Sequence, residues 1–311
     1  MSGAVLVTGA AGFIGAHVCQ ALAQLGHQVV GIDNVNDYYS PRLKLERVKH
    51  FLDGRSSTSF RVRATEEITP EWLAGNGVAA VIHLAAMAGV RYSTERPMLY
   101  VEQNIGATTK LLDACRLAGV RRFVYASSSS AKNVTSVYGA TKRAVDAIAE
   151  AYAKLHGMAC LGLRYHTVYG PWGRPDMMLW KFTARVLAGE PVELYNRGEM
   201  SRDFTFIEDA VAATIMALDY AMGAGQGHNV VDIGSGRSRT LGEVVEILGD
   251  ALGLEVRAEL LPMQQGDVTE SLADNGPAGD LLGYEPTTGI EEGMPAFVAW
   301  YRGHHRESAA P

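Results

Sequence analysis

Basic residues are in the minority in this chain, with 28 Lys and Arg against 34 Asp and Glu and a formal net charge of −6. That balance leaves no positive footprint for a phosphate backbone, so no nucleic-acid partner is expected. Cysteine is scarce as well. Cys19, Cys115 and Cys160 are an odd, scattered set without ligand spacing, and the nine histidines form no ligand pattern. No metal site is predicted, and the thiols read as core or helix-face groups in a reducing cytoplasm. Long apolar runs are missing: none approaches the roughly 20 residues that span a bilayer, and no signal peptide is expected before the first strand. Internal repeats and low-complexity linkers are absent too. His304 and His305 fall in a polar terminal segment that reads as frayed.

With these classes set aside, 311 residues at 47% hydrophobic and 20% charged content suit a compact chain with a large core. Apolar runs at Val5–Val7, Gln28–Ile32, Val78–Leu84, Arg122–Ala126 and Ala159–Tyr165 alternate with helical stretches at Ala16–Leu25, Met98–Ala118 and Tyr138–His156. Alternation of this kind predicts an α/β fold built on a doubly wound parallel sheet, whose strands are buried on both faces. After Tyr169 the pattern changes to a turn-rich segment, a helix near Met178–Leu187 and shorter mixed elements. The expected organisation is a Rossmann domain over 1–168 and a smaller C-terminal α/β substrate lobe over 169–311, some of whose segments return to the first domain.

The first apolar run leads into Thr8-Gly9-Ala10-Ala11-Gly12-Phe13-Ile14-Gly15. Gly9 permits a tight turn, Gly12 lets the backbone approach a pyrophosphate, and Gly15 allows close packing of helix on strand. The helix start then offers N–H groups and positive potential to the phosphates. Asp33 ends the second run about twenty residues on, where an acid binds the adenosine ribose. Its charge repels a 2′-phosphate, which predicts NAD rather than NADP.

Tyr138 and Lys142 stand four residues apart on one helix face, just downstream of the serines Ser127–Ser130. A cation held there favours the phenolate and lowers a tyrosine pKa from about 10. Together with a neighbouring serine hydroxyl, the pair can take a proton from a sugar hydroxyl while hydride leaves the same carbon.

More specific segments follow. They are Gly31–Tyr39 (GIDNVNDYY), His83–Ser93 (HLAAMAGVRYS), Tyr125–Ser130 (YASSSS), Thr167–Met177 (TVYGPWGRPDM) and Arg202–Thr205 (RDFT). On these the chain, from residue 3 to about residue 300, resembles the extended short-chain dehydrogenase/reductases, and within them the UDP-glucuronate 4-epimerases.

The resemblance implies a set of roles. Gly9, Gly12, Phe13, Ile14 and Gly15 line the pyrophosphate, with Asp33, Asn34 and Asn36 around the ribose. Lys44 stands where similar enzymes place a cofactor-contacting lysine; a solvated helix lysine is the competing reading. Leu84, Ala85 and Ala86 line the nicotinamide side. Tyr138 is the base, Lys142 its activator and ribose anchor, and Ser128 the hydroxyl that bonds the sugar 4-oxygen. Arg174 is the arginine directed at the sugar carboxylate, with Ser129, Ser130 and Thr167 as neutral donors. Arg91 belongs to the same substrate set. Arg202, Gln264 and Asp267 hold the diphosphate and uridine ribose, and the backbone at Val192–Tyr195 pairs with uracil. Relatives commonly form homodimers through the helices corresponding to Met98–Ala118 and Tyr138–His156. The stripe Ala140, Ala144, Ala147 and Ala151 fits such a contact and equally fits packing on the sheet.

The reaction so implied is C4 epimerisation of a UDP-hexuronic acid through a 4-keto intermediate, with NAD retained and no net redox change. Two departures stand out. Relatives carry a substantial loop before Tyr-x-x-x-Lys, whereas only Ala131–Val137 separate Ser130 from Tyr138 here. Their third strand ends in an Asp that contacts adenine, and Phe60–Thr65 offers none. Dehydratases place an acid pair, and UDP-xylose-forming decarboxylases a Glu, after the central serine; Ser129 and Ser130 cannot do that acid–base work near neutral pH. UDP-glucose 4-epimerase stays open, as does an NAD-sensing protein without turnover, against which the intact Tyr138/Lys142 pair argues.

Overall fold

The computed structural model describes residues 3–223, 225–263 and 268–308. Its strands are β1 (Ala4–Thr8), β2 (Val29–Asp33), β3 (Thr58–Val62), β4 (Val78–His83), β5 (Arg122–Ser128), β6 (Ala159–Tyr165), β7 (Thr167–Tyr169), β8 (Val192–Tyr195), β9 (Ser201–Phe206), β10 (His228–Ile233), β11 (Ser238–Thr240), β12 (Ala258–Leu261) and β13 (Glu270–Ser271). The helices are α1 (Phe13–Gln24), α2 (Pro41–Phe51), α3 (Pro70–Gly75), α4 (Val90–Glu95), α5 (Pro97–Tyr100), α6 (Ala107–Ala118), α7 (Val137–His156), α8 (Met178–Leu187), α9 (Ile207–Met222), α10 (Leu241–Leu252), α11 (Gly276–Leu282) and α12 (Ile290–Ser308).

The chain divides into two compact units. The first comprises 1–165, 211–232 and 276–284; the second comprises 166–210, 233–275 and 285–311. The first break falls at Tyr165 because β6 ends there and the next strand, β7, pairs with β9 instead.

The first unit is built on a seven-stranded sheet in the order β10-β6-β5-β4-β1-β2-β3. The pairings from β3 through β1 to β6 are parallel, as continuous apolar runs demand. Leu6, Ile32, Val81, Phe123 and Tyr125 from the sheet pack with Leu111, Leu112 and Cys115 of α6 and with Val145 and Ala149 of α7. All three cysteines are buried and free. Among the described residues no helix is long and apolar enough to cross a membrane.

Two helical expectations are refined. The stretch Met98–Ala118 is not one uniform α-helix: α5 and α6 are joined by a π-turn over Val101–Gly106, in which a wider ring takes up an extra residue. In the α7 stripe Ala140, Ala147 and Ala151 are exposed and Ala144 is half-buried, whereas Thr141, Lys142, Val145, Asp146, Ala149 and Ala153 face inward. Packing of that stripe on the sheet is thereby overturned. The C-terminus is not frayed at His304 either, since α12 continues through it to Ser308.

In the second unit β9 is central. It pairs antiparallel with β11 and parallel with β7 and β13, while β8 and β12 form a separate parallel pair.

Candidate active site

The cradle at the end of β1 is shaped by what its glycines leave out. Gly9 has φ +72°, and a Cβ there would stand 2.8 Å from the Ala85 backbone nitrogen; a Cβ on Gly15 would overlap the Gly9 carbonyl. The turn therefore closes tightly and brings α1 onto the strand. No side chain caps α1 at Gly12, so its first turn presents amides to an anion. Asp33 faces this loop: its Oδ2 accepts from Ala11 N at 3.2 Å and its Oδ1 from Val35 N at 2.8 Å. Burial raises its pKa, against the pull of the Val35 bond and of Lys44 and Arg47. A diol donating to this carboxylate suits the site, so the residues present fit NAD.

Asn34 Oδ1 accepts from Asn36 N, and Lys44 Nζ donates to Asn36 O at 2.6 Å and to its Oδ1 at 2.7 Å. Lys44 is only 4% exposed, which overturns the solvated-lysine reading. Arg47, one turn further along α2, is fully buried and donates to Tyr39 Oη at 2.6 Å and to the Ala11 carbonyl at 3.3 Å. Leu84, Ala85 and Ala86 follow β4, and Ala85 N donates to Thr8 Oγ1.

Ser128, Tyr138 and Lys142 lie at the end of β5 and in the first turns of α7. Ser136 caps α7 by accepting from Gly139 N, which starts the helix just before Tyr138. The Tyr138 ring meets Tyr100 edge-on at 6.2 Å. Lys142 Nζ donates to the Ala126 carbonyl at 2.8 Å, and burial lowers its pKa to about 8 although Asp146 opposes the shift. β5 runs two residues beyond Ala126 to Ser128, whose buried Oγ accepts from Ser130 N and caps the 3₁₀ turn Ser129–Ala131. The short segment after it is anchored by Lys132, which pairs with the buried Asp232 at 2.7 Å.

Several supporting residues escaped the sequence reading. Asn104, in the π-turn, accepts from Met87 N and donates to Met87 O and to Thr141 Oγ1. It thereby ties the loop after β4 to the helix of Tyr138. His83 is held between Thr8 and Thr108, and burial keeps it neutral by lowering its pKa to about 3. The available signal was a polar residue within an apolar run, which in a buried strand must find partners.

The second unit holds an open hollow lined by Thr167, Tyr169, Arg174, Met177, Trp180 and Phe297 among others. Arg174 makes a two-point contact with Asp176, Nε to Oδ1 at 3.0 Å and Nη2 to Oδ2 at 2.5 Å. Trp172, at φ +62°, lies 5.5 Å from both Trp300, tilted against it, and His304, met edge-on, and Trp180 lies 5.3 Å from Trp300. These rings brace the Gly-Pro-Trp-Gly-Arg turn. Arg202 donates to Ser201 O and Thr269 O, and one edge of β8, from Val192 to Tyr195, is taken by β12. Arg91 is exposed on α4. Gln264 and Asp267 lie outside the described residues.

Residues 5–234 match the NAD dependent epimerase/dehydratase family. The chain is 37% identical over 338 residues to UDP-glucuronate 4-epimerase 3 of Arabidopsis thaliana, covering 97% of this chain and 77% of the relative. It is 35% identical over 345 residues to a probable UDP-glucuronate 4-epimerase of Rhizobium meliloti, covering 97% and 98%. Among solved structures it is similar to the UDP-glucuronic acid 4-epimerase from Bacillus cereus in complex with UDP-glucuronic acid and NAD, with a TM-score of 0.90, 30% identity and coverage of 96% and 99%. A glycine cradle facing Asp33, a buried lysine one turn from a tyrosine, a family match over residues 5–234 and relatives covering 97% of the chain lead to one conclusion: this protein belongs to the NAD dependent epimerase/dehydratase family.

Proposed function

We propose that this protein is an NAD-dependent UDP-glucuronate 4-epimerase, interconverting UDP-glucuronate and UDP-galacturonate. The observation that carries the reading is Lys142, buried yet hydrogen-bonded at Ala126 O, one helical turn from Tyr138. Relatives in which UDP-glucuronate 4-epimerase is the named activity, and a neighbour crystallised with UDP-glucuronic acid and NAD, support the same substrate.

The Gly9–Gly15 cradle and Asp33 would hold NAD, which when bound would supply a reversible hydride acceptor for C4. The chain's own residues handle the proton. The Lys142 charge stabilises the Tyr138 phenolate, which removes the 4-hydroxyl proton; Ser128 donates to the developing 4-keto oxygen. When the ketone has turned over, Tyr138 returns the proton to O4 on the opposite configuration. A 4-keto uronate is a β-keto acid and loses carbon dioxide when its carboxylate rotates out of the ring plane. Arg174 is assigned to that carboxylate, because a guanidinium bonds it at two points. The turn Ser129–Ala131 carries no carboxylic acid, consistent with epimerisation rather than dehydration or decarboxylation.

A homodimer belongs to the same proposal. The exposed α7 stripe is flanked by Leu155 at 76% exposure, and Leu117 on α6 is 58% exposed. Sedimentation showing only monomer at micromolar concentration would remove it.

Incubation of the purified protein with UDP-glucuronate, followed by NMR of the products, tests the function. UDP-galacturonate is expected; UDP-xylose as the main product, or turnover confined to UDP-glucose, overturns the reading.

A further inference from the structure

Lys142 sits in a site that should discharge it. It is 4% exposed, its ammonium donates to the neutral Ala126 carbonyl, and burial alone drives an ammonium toward the neutral amine. Yet the proposed chemistry needs its charge. Asp146 lies one turn further along α7 on the same inward face and is itself buried.

Asp146 is held by two residues through three hydrogen bonds. Arg164 of β6 donates to Oδ2 through Nε at 3.3 Å and Nη2 at 2.9 Å, and Tyr125 Oη of β5 donates to Oδ1 at 3.2 Å. Tyr125 in turn bonds His228 Nε2 of β10 at 2.8 Å, the two rings stacked 7° from parallel. Resting on the reading of Tyr138 and Lys142 as the reacting pair, we infer that Asp146 is a positioning residue that keeps Lys142 charged, with Tyr125, Arg164 and His228 fixing its carboxylate in place.

The other groups around these residues do not replace it. From β4, His83 is neutral. From β6, the Cys160 thiol is pushed up to about 12 by burial and stays uncharged. Tyr125 is held far above its ordinary range by burial and by Asp146. From α5, Tyr100 faces Tyr138. On α6, Asp113 pairs with Arg116, and further along α7 Glu150 pairs with Lys154. Asp146 alone among them supports the Lys142 charge.

The test is an ultraviolet titration of tyrosinate on the NAD-loaded protein without UDP-sugar, with Tyr138→Phe subtracted as the blank. The Tyr138 midpoint in the native protein is expected below the ordinary value of about 10. In Asp146→Asn it should rise by on the order of one unit, while the alkaline limb of kcat moves down by a similar amount and KM for UDP-glucuronate changes little. Asp146→Glu should restore both. Because Asp146→Asn leaves Arg164 buried without its partner, the double variant Asp146→Asn/Arg164→Gln guards against misfolding and should show the same raised midpoint. A native midpoint that is not lowered sinks the proposed Tyr138/Lys142 chemistry; a lowered native midpoint unchanged in either Asn-bearing variant sinks only the role of Asp146.

Discussion

Gly139 lies against Ser130 so closely that a Cβ on it would stand 2.5 Å from the Ser130 carbonyl oxygen. The contact sets the distance between the first turn of α7, which carries Tyr138, and the turn that carries the site serines. An added methyl must push the two apart, at about 1–3 kcal/mol for overpacking. Gly139→Ala should therefore lower the melting temperature modestly and kcat by tenfold or more. A variant of native activity would show that this spacing is not critical.

Removing the Tyr138 hydroxyl is the direct probe of the proposed chemistry. Tyr138→Phe should retain NAD and bind UDP-glucuronate while kcat falls by about a hundredfold or more, the scale of general-base assistance. Near-native turnover would reassign the proton transfer to another group.

The alkaline side of the pH profile follows from Lys142. Its pKa, lowered to about 8 by burial, means that the charge is present below that pH and lost above it. Turnover at saturating UDP-glucuronate should accordingly decline through a midpoint near 8. A rate that holds level to about pH 10, the ordinary lysine value, would mean that the reaction does not use the ammonium.

The proposed contact of Arg174 with the sugar carboxylate can be tested by comparing an acidic with a neutral sugar. Arg174→Ala should cost about 2–5 kcal/mol of uronate binding, because the carboxylate loses its charged partner, and far less for UDP-glucose. A decarboxylated pentose should also leak from the variant. Asp176→Asn, which weakens the grip on the guanidinium seen at Nε and Nη2, should raise KM for UDP-glucuronate in the same direction. Equal losses for both sugars would assign Arg174 to its own turn.

The order β1, glycine turn, α1, β2, Asp33 could be read directly, because each piece has a local cause: β-branched runs, glycine spacing, a terminal acid. The helix of Tyr138 and Lys142 was legible for the same reason. Pairings across the fold were not. Nothing local announces that Asn104 reaches both Met87 and Thr141, or that Lys44 folds back onto Asn36 and leaves solvent. The π-turn was hidden because an extra residue in one turn disturbs the apolar period too little to register. Arg174 and Asp176 stand two residues apart, a spacing that on a helix would separate them but in this turn lets them meet.

Three of the four tryptophans, Trp172, Trp180 and Trp300, gather around the Arg174 turn, while Trp72 stands in the other unit beneath the Arg63 guanidinium. The protein thus carries an unevenly distributed set of intrinsic fluorophores, so its ultraviolet emission reports mainly on the second unit. Trp180 also lines the cavity that Arg174 enters. A nucleotide sugar arriving there should be visible as a change in emission without any label, in variants that no longer turn over as readily as in the native chain.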